Sequence, residues 1–225
     1  MKAALYLLVV LFSCSNSWAQ KGESNLENVD GWYFRVTGGY PAAISFEPIV
    51  LFKDGTYFEI GEEALSKVDI SKSKTANANL WGKWTKSGTI FTLTNEENKS
   101  YQYDLDSGNW FVAFPYNPKI KLIGTYEKVS GGVYGNGLMA LFSSKLTFLD
   151  DKHFTHAKNG GVTAYGSSAW KNDEKSGVYH IKGNEISLSY NNGATIKLSF
   201  AIGAEGDNVI DTDMLFIGGK AYVIE

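Results

Sequence analysis

Few residues of this chain can carry chemistry, and their spacing leaves them little to do. Histidine occurs at His153, His156 and His180 only. A metal pair needs two ring nitrogens aimed at one point. His153 and His156 are three apart in a stretch that reads as strand, where successive side chains alternate between faces, so their rings point to opposite sides. Surface or hairpin positions account for all three. No Gly-x-Ser-x-Gly elbow, His-Glu-x-x-His pair or phosphate-binding loop occurs. Glu62-Glu63, Glu96-Glu97 and Asp150-Asp151 sit in turn-like contexts and read as solvated charge. Asp104-x-Asp106-x-Gly108-Asn109 and Asp207-x-x-x-Asp211-x-Asp213 offer the oxygen ligands calcium prefers. Neither has the twelve-residue loop with a terminal glutamate, and hairpin turns use the same residue types. We therefore expect no catalytic residue, no metal site and no cofactor.

The aromatics are more suggestive. Trp84 and Tyr179 fall at strand positions and read as core. Trp81 and Trp170 differ, because each lies in or ends a stretch of more than twenty residues with weak strand character, 59–81 and 155–176. Loops of that length are uncommon in compact domains and tend to be lids or binding loops. Trp81 and Trp170 are thus the candidate contacts for a ligand or partner. The competing expectation is that each connection packs as a plug or cap over one barrel end.

What must position these residues is a framework written twice. Gly31-Trp-Tyr-Phe-Arg-Val-Thr-Gly-Gly39 returns as Gly124-Thr-Tyr-Glu-Lys-Val-Ser-Gly-Gly132. Phe52-x-Asp54-x-x-x-Phe58 returns as Phe148-x-Asp150-x-x-x-Phe154. Gly82-x-Trp84-x-x-x-Gly88-x-x-Phe91-x-Leu93 returns as Gly177-x-Tyr179-x-x-x-Gly183-x-x-Ile186-x-Leu188. The offsets are 93, 96 and 95 residues, in preserved order, which fits a small β-domain copied in tandem. Alternation such as Tyr101, Tyr103, Leu105 and Ile186, Leu188, Tyr190 marks strands with one buried face. Asp54-Gly55, Ser87-Gly88, Gly183-Asn184 and Asn192-Gly193 supply the turns between them. The expected fold is all-β, two tandem meander barrels or curled sheets of about eight strands each. Repeat one spans 31–123 and repeat two 124–225, with Gly124 to Gly132 also placed to close the first copy. Runs of five to seven residues are shorter than the roughly 9–11 a transmembrane barrel strand needs.

The spacing Gly177-x-Tyr179-x-x-x-Gly183-x-x-Ile186-x-Leu188-x-Tyr190-x-x-Gly193, with Phe148 and Asp150 upstream, resembles a hairpin of bacterial secreted lipocalin-like (calycin-type) barrels. The resemblance implies a barrel that can enclose a small apolar ligand.

The N-terminal segment bounds the setting. Residues 1–19 read as a signal peptide, with Lys2 before an apolar stretch and Ser17-Trp18-Ala19 at the cleavage site, followed by a polar leader at 20–30. Leu11-Phe12-Ser13-Cys14 also looks like a lipobox, which would anchor the chain through an acylated Cys14. Periplasmic or secreted location is expected on the first reading, lipoprotein on the second, and no transmembrane segment after signal removal. Cys14 is the only cysteine, so neither reading allows an intramolecular disulfide in the mature chain. Loss of Lys2 leaves 20 basic against 24 acidic residues. Arg35 is the only arginine, and nucleic acid is an unsuitable partner for an acidic chain with one guanidinium. Three function classes follow. A non-enzymatic exported protein acting through protein or surface contacts comes first. A lipocalin-like module for a small apolar or sugar-like ligand comes second, and an enzyme last.

Overall fold

Alternation makes strands of nearly every segment from Val29 onward. The computed structural model describes residues 26–39, 42–134, 138–164, 167–205 and 209–225. The signal segment, the acylation candidate Cys14 and the leader up to residue 25 lie outside them.

In the first unit β1 (Val29–Gly39), β2 (Ala42–Phe52), β3 (Thr56–Glu59), β4 (Trp81–Ser87), β5 (Ile90–Asn95), β6 (Ser100–Asp104) and β7 (Trp110–Val112) form one antiparallel sheet. Its order is β6-β5-β4-β3-β2-β1-β7. In the second, β8 (Gly124–Tyr134), β9 (Leu138–Phe148), β10 (His153–Ala164), β11 (Ser167–Lys182), β12 (Glu185–Tyr190), β13 (Thr195–Glu205), β14 (Val209–Ile217) and β15 (Lys220–Ile224) close into a barrel. The fold is thus two antiparallel β units of seven and eight strands. β8 pairs with β9 and β15, so the Gly124 segment belongs to the barrel and does not close the first sheet.

The two ladders repeat each other. Gly31 faces Leu51, which faces Tyr57, which faces Gly82; in the barrel Gly124 faces Phe148, which faces Phe154, which faces Gly177. Trp84–Leu93–Tyr101 is matched by Tyr179–Leu188–Ile196. Trp84 therefore stands where Tyr179 does, as expected from the sequence. Phe154, however, matches Tyr57 and not Phe58. The aromatic-Asp-aromatic match in the sequence is one residue out of step with the ladder, and with a side-chain period of two a one-residue slip puts Phe58 on the opposite face. A Cβ at Gly82 would strike Thr94 O and the Tyr57 ring, and one at Gly177 would strike Ser189 O, which explains why both copies keep glycine there.

The inward faces carry matching cores. Ile49, Leu51, Tyr57, Phe91, Leu93 and Trp110 fill the first unit. Their ladder counterparts Leu146, Phe148, Phe154, Ile186, Leu188 and Tyr222 fill the second. The first sheet is also apolar on its outer face. Trp32, Phe34, Val50, Phe52 and Phe58 pack there against Leu65, Trp81 and, from the barrel, Ala201 and Phe216. The Phe34 and Phe216 rings lie 3.7 Å apart. Burial on both faces accounts for the unbroken run Ile49-Val50-Leu51-Phe52.

The two long connections expected at 59–81 and 155–176 are not alike. The first folds as a 3-10 turn at Leu65–Lys67, helix α1 at Ile70–Ala76, capped by Asp69 on the Lys72 N–H, and a second 3-10 turn at Ala78–Leu80. It covers the outer face of the sheet. The second is no loop: β10 and β11 run 12 and 16 residues as one long hairpin, with β9 on the other side of β10. Glycine, serine and asparagine lower its strand propensity, but cross-strand aromatics compensate. The Phe142 ring lies over Gly160 and the Trp170 indole over Gly161. Strands β8 to β11, at 11 to 16 residues, are longer than the five to seven expected, so length does not argue against a membrane barrel. The outer face is mixed: Lys145, Thr147, Ser187 and Ser189 are polar, while Val129, Met139, Leu141 and Trp170 are exposed and apolar. Among the described residues no helix is long and apolar enough to cross a membrane.

Candidate functional site

The barrel is closed at one end and open at the other. At the closed end the chain between the two units acts as a plug: Leu122 is buried in the barrel core, with Phe114, Tyr116 and Ile120 packed beside it. Phe114 bridges to Ile202 and Tyr116 to Gly183, which fixes the plug by backbone pairing. At the other end, where β9 to β11 extend past the shorter strands, a cavity of about 550 Å³ opens. That size lies in the range of small-molecule sites.

Its depth is apolar and its rim is charged. Leu146, Leu188, Leu198 and Ile217 form the apolar lining. Lys128, Lys158, Lys171 and Lys220 stand around the opening, with Glu62 and Asp173 as the only carboxylates among the lining residues. Asp173 is already engaged by Lys175 at 3.0 Å. Among the described residues, none of the four lining lysines makes an ion pair. Burial holds the half-buried Lys128 ammonium below the usual lysine range, repulsion from Lys220 and Lys158 adds to this, and Glu62 opposes it. Glu62 reaches the rim because the connection after β3 docks on the barrel. Ser199 Oγ donates to Gly61 O at 3.0 Å, and the Ser66 N–H donates to the buried Glu185 carboxylate at 2.6 Å, which Lys197 also pairs at 2.6 Å.

A chain of polar side chains runs beneath the rim. The Tyr222 hydroxyl lies 3.1 Å from Ser144 Oγ, Ser144 Oγ 2.9 Å from His156 Nε2, and His156 Nδ1 2.8 Å from the Tyr190 hydroxyl. His156 is thus inside the barrel mouth, not at the surface position expected of it. Phe154 opens β10 on the inward face, and His156 two residues on shares it. His153 is exposed and bonded to Asp150, and His180 is exposed. The Ser144–His156 contact has the distance of a nucleophile–base pair but not its electrostatics. Burial first, then Lys158 and Lys175, depress the His156 pKa to about 4, against a smaller opposing effect of Asp173. So weak a base takes little proton from a serine hydroxyl near neutral pH. Tyr190, rather than a carboxylate, orients the ring, and that is poor support for an imidazolium.

The same ladder positions in the first unit are filled differently. Arg35, Glu47 and Glu59 stand where the barrel has Lys128, Ser144 and His156. Arg35 Nε donates to Glu47 at 2.9 Å, Nη2 also reaches Glu47, and Nη1 lies 3.0 Å from Glu59. Thr37 Oγ1 adds a bond to Glu47 at 3.2 Å.

The two tryptophans expected to make contacts are not brought together. Trp81 is 6% exposed. Its indole stacks on Phe58 at 4.4 Å and its Nε1 donates to Ser73 Oγ at 3.0 Å, so it pins α1 to the sheet. Trp170 is 58% exposed, on the outer face of β11 away from the cavity. The calcium candidate at Asp104–Asn109 uses its side chains in a turn, with Asp104 accepting from the Asp106 N–H and Asn109 from the Asp104 N–H. Asp211 likewise accepts from the Asp213 N–H, while Asp207 lies outside the described residues. Sequence reasoning missed Lys128, Ser144, His156 and Tyr222 as a group. The signal available was the pairing of Arg35 with Lys128 in the repeat, which marks an inward position that is charged in both copies. No known protein family matches the chain, nor does any curated protein or solved structure.

Proposed function

We propose that the protein is an exported, lipocalin-like binding module that takes a small, largely apolar ligand into the mouth of its second unit. The observation that carries this reading is the 550 Å³ cavity over an apolar lining in a barrel sealed at its other end. It supports ligand binding over surface contact, the class favoured on sequence grounds. Export rests on the signal segment, with acylation at Cys14 as the anchored variant.

The test is binding of the neutral fluorophore N-phenyl-1-naphthylamine. Saturable binding at micromolar concentration is expected. Ile196→Trp, a substitution at the rim where the native side chain is 38% exposed, should weaken it at least tenfold without changing the thermal midpoint. Absence of saturable binding, or binding indifferent to that substitution, would overturn the reading.

Contact through a surface keeps one observation in its favour. Trp170, Gly161 and Leu141 form a cross-strand row on the outer face of β9 to β11, and Trp170 and Leu141 are 58% and 42% exposed.

A further inference from the structure

We infer that the ligand of the barrel is an anionic amphiphile, its negative head held at Lys128 and its apolar tail pointing down into the barrel. This deepens the binding reading above and rests on it. At one set of inward ladder positions the first unit holds a cation and two carboxylates, Arg35, Glu47 and Glu59, in direct contact. The barrel keeps the cation as Lys128 but puts neutral, hydrogen-bonding groups, Ser144 and His156, where the carboxylates stand.

A half-buried ammonium with no carboxylate in direct contact is costly. Here three more lysines, Lys158, Lys171 and Lys220, face the same opening. Glu62 and Asp173 leave that excess uncompensated, since Asp173 is shared with Lys175. A ligand anion at Lys128 occupies the place of the Glu47 and Glu59 carboxylates. There Ser144 Oγ and, with a small rotation, the Tyr222 hydroxyl can donate to it. Leu146, Leu188, Leu198 and Ile217 lie below this point, so the same molecule must be apolar beyond its head. The shared chemistry fits a carboxylate or a phosphate head, and the test separates them.

The experiment displaces N-phenyl-1-naphthylamine from the full mature chain with four twelve-carbon probes: dodecanoate, dodecyl phosphate, dodecanol and dodecyltrimethylammonium. At least one anion should displace it at a concentration tenfold or more below dodecanol, and the cation should be weakest. Tenfold preference for dodecanoate over dodecyl phosphate identifies a carboxylate head, and the reverse a phosphate head. Lys128→Met should remove the advantage of the anion over dodecanol. Ser144→Glu, which restores the first unit's arrangement, should do the same by supplying an internal carboxylate. If Ser144→Glu fails to fold, His156→Glu places the carboxylate at the Glu59-equivalent position. Equal displacement by anions and dodecanol would overturn the charge assignment and leave the cavity reading standing. No fluorophore binding in the wild type would remove both.

Discussion

The two units are built on one ladder and finish it in opposite ways. In the first, Trp110 closes the interior: it is fully buried and stacks on Tyr33 and Tyr103, each at 5.1 Å. Its Nε1 has no hydrogen-bond partner among the described residues, so packing is preferred there over polar satisfaction. Tyr222 holds the corresponding place in the barrel, and its hydroxyl joins the Ser144–His156–Tyr190 chain. Around this point the first unit neutralises its charge internally, and the barrel leaves its lysines facing a cavity. Strand length separates them too. β3 stops at Glu59 and hands over to a helical cover, whereas β10 and β11 continue into a hairpin that extends the barrel wall. A repeated scaffold is thus divided into a filled, supporting copy and an open one by changing inward residues and one connection, with the strand register untouched.

Tryptophan substitutions should separate the two units most visibly. Trp81→Ala removes an indole from the layer between helix and sheet and should cost about 3–5 kcal/mol, read as a fall in the urea midpoint. Trp170→Ala acts on an exposed ring and should cost less than about 1 kcal/mol. Similar losses for both would mean that the hairpin depends on its aromatic as strongly as the sheet does. A smaller effect separates the two cations. Arg35→Met leaves Glu47 and Glu59 together without a counter-charge, and should destabilise by about 2 kcal/mol, less than a fully buried pair because Glu47 is partly exposed. Lys128→Met should change stability by less than about 1 kcal/mol, in the stabilising direction, because it removes a desolvated ammonium and its repulsion from Lys220 and Lys158. A larger loss at Lys128 than at Arg35 would contradict the view that only the first unit is compensated internally.

The duplicated meander was legible because its cues are local. Glycine at Gly55, Gly88, Gly183 and Gly193 has the positive φ that tight turns demand, and alternation marks the faces. Register was legible to within one residue, and a one-residue slip exchanges the two faces completely. Phe58 and Tyr57 are equally aromatic, and only cross-strand pairing decides which enters the interior. The hairpin at 155–176 looks like a loop in the sequence because propensity penalises Asn159, Gly160 and Gly161, while the stabilising contacts come from Phe142 and Trp170, distant in sequence or across the turn. Trp81 stands out in the sequence as a candidate contact because the helix it anchors is only seven residues long. The mouth was hidden for a related reason. Lys128, Ser144, His156 and Tyr222 come from four strands, and no spacing rule connects them.

The last difference to exploit is the imidazole that the first unit lacks at this position. His156 has its pKa depressed to about 4, from an ordinary value near 6.5, with burial as the largest cause. Above pH 6.5 both folded and unfolded chains carry the neutral ring, and the group leaves stability unaffected. As pH falls below 6.5 the unfolded chain takes up a proton that the folded chain refuses, so unfolding becomes easier, and the loss levels off only once pH passes about 4. The groups acting on the ring are Lys158 on its own strand and Lys175 and Asp173 on β11, with Ser144 and Tyr190 bonded to it. Neither hydroxyl changes charge in this range. After allowance for the half-exposed site, the wild type should lose about 1 kcal/mol between pH 6.5 and 5 through this residue. His156→Gln keeps a donor and an acceptor at the same place but cannot titrate, and should flatten that part of the stability curve while leaving the acid limb set by carboxylates. His153→Gln, on the exposed face of the same strand, is the control for removing a histidine from this hairpin. If His156→Gln shows the wild-type slope between pH 6.5 and 5, the ring is already solvated in the folded protein, and the mouth is wetter than its hydrogen-bonded chain implies.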